Sequence, residues 1–268
     1  MPEIRHQAQA PTGRRPLAPG GAIDAHRHDT HQIVYACRGV LSVTTDAGTW
    51  VAPANRAIWV PAGTVHEHRA HGDTDLRLVG LTGNPLALGR PAVLAVDPLL
   101  RELIVAYTGE PAPSPAGGGT GNEGTGNEGT GNGRTRDGAE RDRLLAVLLD
   151  RLRRAPEQPL HLPAPRDPRL AAVCAALHRD PADRRTLAAL AAGTGASERT
   201  LTRLFHRELG MSFPQWRTQL RLHHALLLLA DGLPVTAVAH RCGWASASAF
   251  IDVFRRAFGY TPGRAFTM

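Results

Sequence analysis

Two hydrophobic patterns divide the chain into a first and a second half. Between Ile23 and Leu81, short runs of β-branched and aromatic residues alternate with turn residues, which is typical of strands. The runs are QIVYAC, VLSVTT, TWVAP, RAIWVPAG, HEHRA and DLRLVGL. From Asp167 onward, apolar residues recur at three- and four-residue spacing, which is typical of helices. The patterns therefore predict a β-rich first half and an all-helical second half.

The second half is predicted to hold six short helices and a final turn. The helices span 168–179, 186–192, 197–209, 213–230, 235–241 and 246–258, and the turn spans 262–266. Breaks that contain Gly and Asp separate them, as in packed helix-turn-helix units. Helical spacing also recurs at 98–107 and 140–154, which predicts two helices between the halves.

Low-complexity sequence separates these two helices. Residues 109–139 repeat TGNEG and contain no apolar residue larger than Ala or Pro, so they cannot bury a core and are predicted to be a flexible insert. The other predicted units are a disordered arm at 1–22, a β unit with the first flanking helix at 23–108, a second flanking helix and linker at 140–166, and a helical domain at 167–268. The apolar stripes at 99–107 and 144–152 favour a homodimer that pairs through these helices.

Composition narrows the class of partner. All 31 basic residues are Arg and the formal net charge is +7, most of it after Pro156, so a polyanion such as DNA is a plausible partner. No apolar run approaches the roughly 20 residues of a membrane span, and residues 1–22 lack the apolar core of a signal peptide. We therefore expect a cytoplasmic protein without a membrane partner. The odd number of cysteines and the lack of CxxC spacing predict three reduced, buried thiols.

The helical half contains two similar segments, LAALAAGTGASERTLTRLF at 187–205 and VTAVAHRCGWASASAFIDVF at 235–254. When the two segments are aligned, a serine that is an N-cap candidate in the first falls on a serine in the second, and two apolar positions on the following helix also match. The matched pairs are Ser197 with Ser246, Leu201 with Phe250, and Phe205 with Phe254. The helix at 213–230 connects the two units and can hold two recognition helices on one face of DNA.

Residues 186–266 resemble the double helix-turn-helix domain of the AraC/XylS family of bacterial transcription regulators. The resemblance rests on SERTLTRLFHRELGMSF, RLHHALLLLADGLPVTAVAHRCGW and SASAFIDVFRRAFGYTPGRAF. It implies binding to double-stranded promoter DNA, with RNA polymerase as a further partner.

Geometry and the resemblance together give the candidate DNA contacts. In the first unit, Leu201, Leu204 and Phe205 face inward and leave one polar face free. The base-reading candidates on that face are Arg199, Thr202 and Arg203, and an Arg can pair bidentately with guanine.

The second unit presents a less basic face. Its outward candidates are Ala247, Ser248 and Asp252, and Arg255 and Arg256 near the helix end are assigned to phosphates. Asp252 either reads a cytosine, orients a neighbouring Arg, or indicates that this unit mainly positions the domain. Trp216, Trp244, His223 and His224 are assigned to packing or to the surface.

In the β half, an HxH pair and a later His resemble the motifs of the cupin barrel. The matching residues are His26, His28 and His66, while Gln32 stands where the family has a carboxylate. The fold class that follows is a two-domain α+β protein, in which a small cupin-like barrel of jelly-roll type precedes an all-α double helix-turn-helix domain.

Three interpretations of this half remain open. The histidines are structural; or His26, His28, Gln32, Tyr35, Trp59 and His66 line a pocket for a small-molecule effector; or His26, His28, Gln32 and His66 bind one divalent transition metal. His31 is an alternative ligand, His68 is expected to share the inward face of His66, and His71 is expected to be exposed.

The sequence as a whole favours an effector-responsive transcription regulator with sequence-specific DNA binding. The alternatives are a metal-dependent cupin enzyme with an attached DNA-binding domain, and a nucleoid-type protein with little sequence preference. The enzyme is disfavoured by Gln32 and by the two well-formed helix-turn-helix units.

Overall fold

The computed structural model describes residues 4–109, 132–158 and 160–264. The described strands are β1 (Arg5–Gln7), β2 (Gly13–Leu17), β3 (Ala22–His28), β4 (His31–Thr45), β5 (Gly48–Pro53), β6 (Arg56–Val60), β7 (His66–Leu81), β8 (Ala92–Ala95), β9 (Glu157–Gln158) and β10 (His161–Pro163). The described helices are α1 (Pro98–Thr108), α2 (Asn132–Arg154), α3 (Pro168–Arg179), α4 (Leu187–Ala191), α5 (Glu198–Leu209), α6 (Phe213–Ala230), α7 (Val235–Arg241) and α8 (Ala247–Phe258). A 3₁₀ turn, Pro262–Arg264, follows α8.

The first half is built around two long antiparallel strands, β4 and β7, which pair over most of their length. The first part of β4 and the last part of β7 are extended by β6, β8 and β9 on one side and by β2 on the other. The last part of β4 and the first part of β7 are extended by β5 and β10 and by β3 and β1. The long strands are therefore shared by two half-sheets.

A register shift in β4 lies where the two half-sheets meet. It falls between Ala36 and Val40, and the intervening Gly39 has φ of +82°, which favours glycine. A Cβ on Gly39 would lie 2.8 Å from the carbonyl oxygen of Asp73 on β7. The turn of β4 at this point therefore depends on the absence of a side chain.

The structure differs from the predicted boundaries in three places. Part of the predicted disordered arm is ordered, because β1 pairs with β3 and β2 pairs with β7. The predicted linker at 140–166 contributes β9 and β10, which pair with β8 and β5. Helix α2 begins at Asn132, inside the predicted insert, while residues 110–131 lie outside the described part of the chain.

The two faces of the first half-sheet have different neighbours. Ile33 and Tyr35 point to one face, where they pack with α1 and α2 through a cluster that includes Leu100 and Leu148. The alternate residues of β4, such as Val34, belong to a different cluster. The flanking helices thus bury most of their apolar stripes against their own sheet.

The helical half contains the two predicted units with the expected caps. Ser197 accepts a hydrogen bond from the amide of Thr200, and Ser246 accepts one from Ala249, so both serines are N-caps. Both recognition helices end at a glycine in the left-handed conformation, Gly210 (φ 68°) and Gly259 (φ 84°). The matched apolar residues Leu201, Phe205, Phe250 and Phe254 are fully buried.

The two halves share a core. The cluster that contains Val34 and Leu41 of the sheet continues into Leu226 of α6 and Phe254 of α8. At the seam, a Cβ on Gly72 would lie 2.7 Å from the carbonyl oxygen of Ala230. Helix α6 is therefore packed directly on the sheet.

Two predictions about the whole chain can be compared with this fold. Cys37, Cys174 and Cys242 are buried and are not joined by disulfides, as predicted. None of the described helices combines the length and the apolar character that a bilayer crossing requires.

Candidate functional site

Helix α5 presents a continuous polar face to solvent. The predicted base-reading residues Arg199, Thr202 and Arg203 are all exposed, and His206 and Arg207 extend the same face toward the end of the helix. The opposite face is fixed by Leu201, Leu204 and Phe205, which are at most 2% exposed. The amphipathic pattern of this helix thus orients its Arg side chains outward.

The cations on α5 differ in their partners. Arg207 pairs with Glu208 at 3.1 Å, and Glu208 also accepts hydrogen bonds from the amides of Arg166 and Asp167. Arg199 and Arg203 have no ion-pair partner within the described ranges. Their guanidinium groups are therefore available to an external anion or base edge.

The outward face of α8 is smaller and less basic. Ser248, Asp252 and Arg255 are exposed, and Asp252 lies 3.7 Å from Arg255 in an ion pair one turn apart. The prediction that Ala247 faces outward is wrong, because it is half-buried and packs against the core cluster. All three interpretations of Asp252 remain predictions, and the ion pair with Arg255 is the contact that the free protein shows.

Arg256 is exposed on one flank of α8. There it borders a groove of about 620 Å³ whose other wall is formed by Met211, Pro214 and Thr218, the last two on α6. Trp216 is fully buried and Trp244 packs partly buried against the core, which confirms their assignment to packing. His223, also assigned to packing or the surface, is only 4% exposed, and His224 is half-buried.

A second candidate site is a cluster of buried imidazoles between β3 and β7. His26 pairs with His66 in the strand register, with ring centroids 4.3 Å apart, and His68 lies 5.0 Å from His66. The three can each offer one nitrogen such that all three nitrogens lie within 4.8 Å of one another. The alternation of the two strands brings these side chains to one face.

Hydrogen bonds fix the tautomers of two of these rings. His26 donates from Nδ1 to the carbonyl oxygen of Asp24 at 2.8 Å, and His66 donates from Nδ1 to Thr64 at 2.9 Å. In a neutral ring the lone pair is then on Nε2, as in metal-binding histidines. His66 Nε2 and both nitrogens of His68 are buried and have no hydrogen-bond partner among the residues that the structure describes.

Burial also keeps these imidazoles neutral. Loss of hydration lowers the pKa of His66 to about 4, lowers that of His26, and holds that of His68 well below the ordinary value. Neutral imidazoles with unpartnered buried nitrogens fit a zinc-class transition metal, for which imidazole is a preferred ligand.

His28 and Gln32 lie beside the cluster. His28 donates from Nδ1 to the carbonyl of Thr30, and its Nε2 lies 3.3 Å from Oε1 of Gln32. The amide nitrogen of Gln32 donates to the carbonyl of Pro11. The side chains whose nitrogens converge are His26, His66 and His68, which differs from the predicted metal set of His26, His28, Gln32 and His66.

The structure separates Tyr35 and Trp59 from the histidines. Both belong to the cluster under α1 and α2; Tyr35 donates to Ala54, and Trp59 donates to Leu88. His31 stacks on Trp59 and accepts from the amide of Ala62, so it is not the alternative metal ligand. The single six-residue effector pocket predicted from sequence is wrong, because odd and even positions of β4 face opposite ways.

The prediction for His68 is confirmed and that for His71 is wrong. His68 is 2% exposed beside His66, whereas His71 is half-buried and lies 3.0 Å from Oγ of Ser42. The signal for His68 was present in the sequence: residues 66–68 form a second HxH on a strand that pairs with the first HxH.

Comparisons with known proteins match both halves of the chain. The helix-turn-helix domain family matches residues 190–268, and the cupin domain family matches residues 14–82. The transcriptional regulator NimR of Escherichia coli K12 is 32% identical over 242 residues, which cover 89% of this chain and 80% of that protein. The chain belongs to the AraC/XylS family of transcription regulators.

Other relatives match a shorter part of this AraC-family chain. An AraC-like transcription regulator of Streptomyces antibioticus is 35% identical over 122 residues, covering 45% of this chain and 40% of that protein. The solved DNA-binding domain of AdpA with a target DNA is 32% identical and covers 37% of this chain and 89% of that chain, at a TM-score of 0.35. The AraC-family chain is a DNA-binding transcription regulator.

Proposed function

We propose that this regulator reads promoter DNA mainly through α5. The observation that carries the proposal is the contrast between the two recognition helices. Arg199 and Arg203 are exposed without an acidic partner in the described chain, whereas Arg255 on α8 is tied to Asp252. An Arg without an acidic partner can form the bidentate pair with a guanine that gives sequence preference.

The second unit has the features of a positioning element. Its exposed face carries Ser248 and the Asp252–Arg255 pair, and Arg256 lies on the flank of the helix. Contacts of this kind to phosphates fix register without reading sequence. Arg255 and Arg256 are accordingly assigned to the DNA backbone.

The cupin-like half is proposed to bind a transition metal through His26, His66 and His68. An ion there would have three imidazole ligands and an open position for a nitrogen or oxygen atom of an effector. His28 and Gln32, which border the cluster, are placed to orient such an effector. We also propose that the two half-sheets close into a barrel of the jelly-roll type.

Coupling is proposed to run through the shared core. An effector changes DNA binding only if it binds the alternative domain arrangements with different affinity. Leu226 and Phe254 pack in the same cluster as Val34 and the alternate residues of β4. A shift in the sheet therefore changes the position of α8 relative to the sheet.

A homodimer is proposed to use the exposed residues of α1 and α2. Leu99 and Val147 are 52% and 48% exposed, respectively, although most of their helices' apolar stripes are covered by the sheet. We also propose that the regulator contacts RNA polymerase while it is bound to the promoter.

The proposed sequence preference is tested by competition. Fragments of genomic DNA selected on the full chain are challenged with unrelated duplex at fixed salt. We expect the selected site to bind about 10³-fold or more tightly than unrelated DNA, as specific regulators do. Equal competition by any duplex would instead identify a nucleoid-type protein whose binding depends only on phosphate charge.

A further inference from the structure

The two helix-turn-helix units have separate hydrophobic cores. The core of the first unit contains Phe205 of α5 and takes Leu220 from the first part of α6. The core of the second unit contains Phe254 of α8 and takes Leu222 from the rest of α6. Among the described residues, these two clusters have no side chain in common. Apart from α6 itself, apolar packing therefore contributes little to the orientation of one unit relative to the other.

Arg221 lies on α6 between these two clusters, and its guanidinium contacts both units. It is half-buried and donates from Nε to the carbonyl oxygen of Pro181 at 2.9 Å and from Nη2 to that of Asp183 at 3.2 Å. Both carbonyls belong to the α3–α4 loop (residues 180–186), which leads into the first unit. The carbon of the same guanidinium lies 6.0 Å from the ring centroid of Trp244 in the turn of the second unit, at the outer limit of a cation–π contact.

The turn of the second unit also touches the α3–α4 loop through its backbone. Gly243 has φ of +73°, and a Cβ on it would lie 2.7 Å from Cα of Ala182 and 2.8 Å from Nη2 of Arg221. This approach depends on a residue without a side chain. Arg221 therefore borders a direct contact between the backbones of the two units.

Hydrogen bonds within the α3–α4 loop fix its conformation. Asp183 is 9% exposed; its Oδ1 accepts from the amide of Arg185 at 2.8 Å, and its carboxylate pairs with the Arg185 guanidinium at 2.6 Å. Arg217, one turn before Arg221 on α6, donates to the carbonyl oxygen of Arg185 at 2.9 Å. Asp side chains that bond the backbone two residues on stabilise turns in this way. The loop is therefore a rigid element against which the second unit is held.

We propose that Arg221 is a positioning residue for DNA binding, which holds the second helix-turn-helix unit at a fixed angle to the first by bridging the α3–α4 loop and Trp244. The contribution to DNA binding rests on the proposed function, in which both units contact DNA, whereas the fixed angle does not. Two recognition helices reach one face of DNA together only at a defined separation. With the angle fixed beforehand, the second unit adds its phosphate contacts without a further loss of conformational freedom.

The first test measures this angle without DNA. Spin labels on Ala188→Cys in α4 and Thr236→Cys in α7 report the distance between the two units of the full chain by double electron–electron resonance. Both positions are exposed, and the three native cysteines are buried. Arg221→Met keeps an apolar stem and removes the donors. Helix-packing angles scatter by about 15–20°, so we expect the distance distribution of this variant to broaden by about 5 Å.

The matched control is Arg184→Met, which removes the same charge from the exposed side of the α3–α4 loop and is expected to keep the wild-type distribution. Circular dichroism confirms that each variant is folded. If Arg221→Met does not fold, Arg221→Gln, whose side chain is too short to reach both carbonyls, is measured instead. Failure of both to fold would make Arg221 a residue of general stability and would overturn the proposal.

The second test measures DNA binding on the selected site at fixed salt. Arg221→Met is expected to bind about tenfold more weakly than Arg184→Met, because the second unit must then be ordered on binding. The two variants have the same net charge, so this difference is not electrostatic. Every base preference is expected to stay, since the first unit keeps its own core.

Three results would overturn the proposal: a distance distribution in Arg221→Met as narrow as that of the wild type, equal affinities of the two variants for DNA, or altered base preferences in Arg221→Met. A wild-type chain without sequence preference would overturn the proposed function instead. The label distances, which do not involve DNA, would then still decide whether Arg221 fixes the angle.

Discussion

Replacing Phe254 by Ala is expected to lower the free energy of unfolding by about 3–5 kcal/mol, the usual cost of deleting a buried aromatic ring. Phe254 is fully buried on α8, and its ring centroid lies 4.5 Å from that of Phe258 and 5.6 Å from that of Phe250. Its cluster includes residues of the sheet, so the loss is expected to affect both halves together. Urea denaturation followed by circular dichroism measures the change.

Ser248→Ala on the exposed side of the same helix is the matched control, and its effect should stay within about 0.5 kcal/mol. Tryptophan fluorescence reports on both halves, since Trp59 lies in the sheet and Trp216 in α6. A shared core predicts that fluorescence and circular dichroism give coincident curves. A loss below about 1 kcal/mol in Phe254→Ala would show that α8 is not seated on this core.

Loss of His66 together with His68 is expected to abolish tight binding of a transition metal. Two of three neutral nitrogen donors disappear, and removing even a supporting partner of a ligand typically costs 10- to 100-fold in affinity. We therefore expect at least about a 100-fold weaker affinity for Zn²⁺ in His66→Ala/His68→Ala. Metal content by elemental mass spectrometry and titration of the metal-stripped chain measure it.

The control for the metal prediction is His206→Ala, which removes an exposed imidazole on α5, in the helical half of the chain. It should bind as much metal as the wild type. If the stripped wild-type chain fails to take up Zn²⁺, Fe²⁺ or Ni²⁺ near one per chain, the imidazole cluster is structural. The cupin-like half would then act through an organic effector alone.

The helical half was predictable from sequence almost to the residue. The helices over 168–179, 213–230 and 235–241 match the predicted bounds, and the other three differ by one residue at one or both ends. Their ends are encoded locally, by N-caps such as Ser197 and Ser246 and by left-handed glycines. Local signals of this kind are visible without knowledge of the tertiary fold.

The sheet was less predictable because its short strands depend on distant partners. The strand Gly13–Leu17 contains Pro and two Arg and forms against Thr74–Leu78, and Glu157–Gln158 pairs with β8 across the insert. Neither segment has the alternation that identifies a strand in isolation. Long-range pairing therefore overrode local sequence in these segments.

The candidate sites were likewise predictable where local spacing decides the structure and less so where distant strands pair. The outward face of α5 followed from helical spacing together with the family resemblance, and Arg199, Thr202 and Arg203 are exposed as predicted. The predicted effector pocket mixed residues from the two faces of β4, although strand alternation already places Gln32 and Tyr35 on opposite sides. The inward face of His68 followed from its spacing to His66, whereas the register of β3 against β7, which sets the distances between the rings, was not readable from sequence.

The measurement that tests base reading by α5 most directly is a base-pair scan of the selected DNA site with wild type, Arg203→Ala and Arg255→Ala. We expect Arg203→Ala to lose about 1–3 kcal/mol on the cognate site and to tolerate any base pair at one position. Arg255→Ala should weaken all sequences alike and reduce the salt dependence. A uniform loss in Arg203→Ala, with every base preference kept, would contradict the account and make Arg203 a phosphate contact.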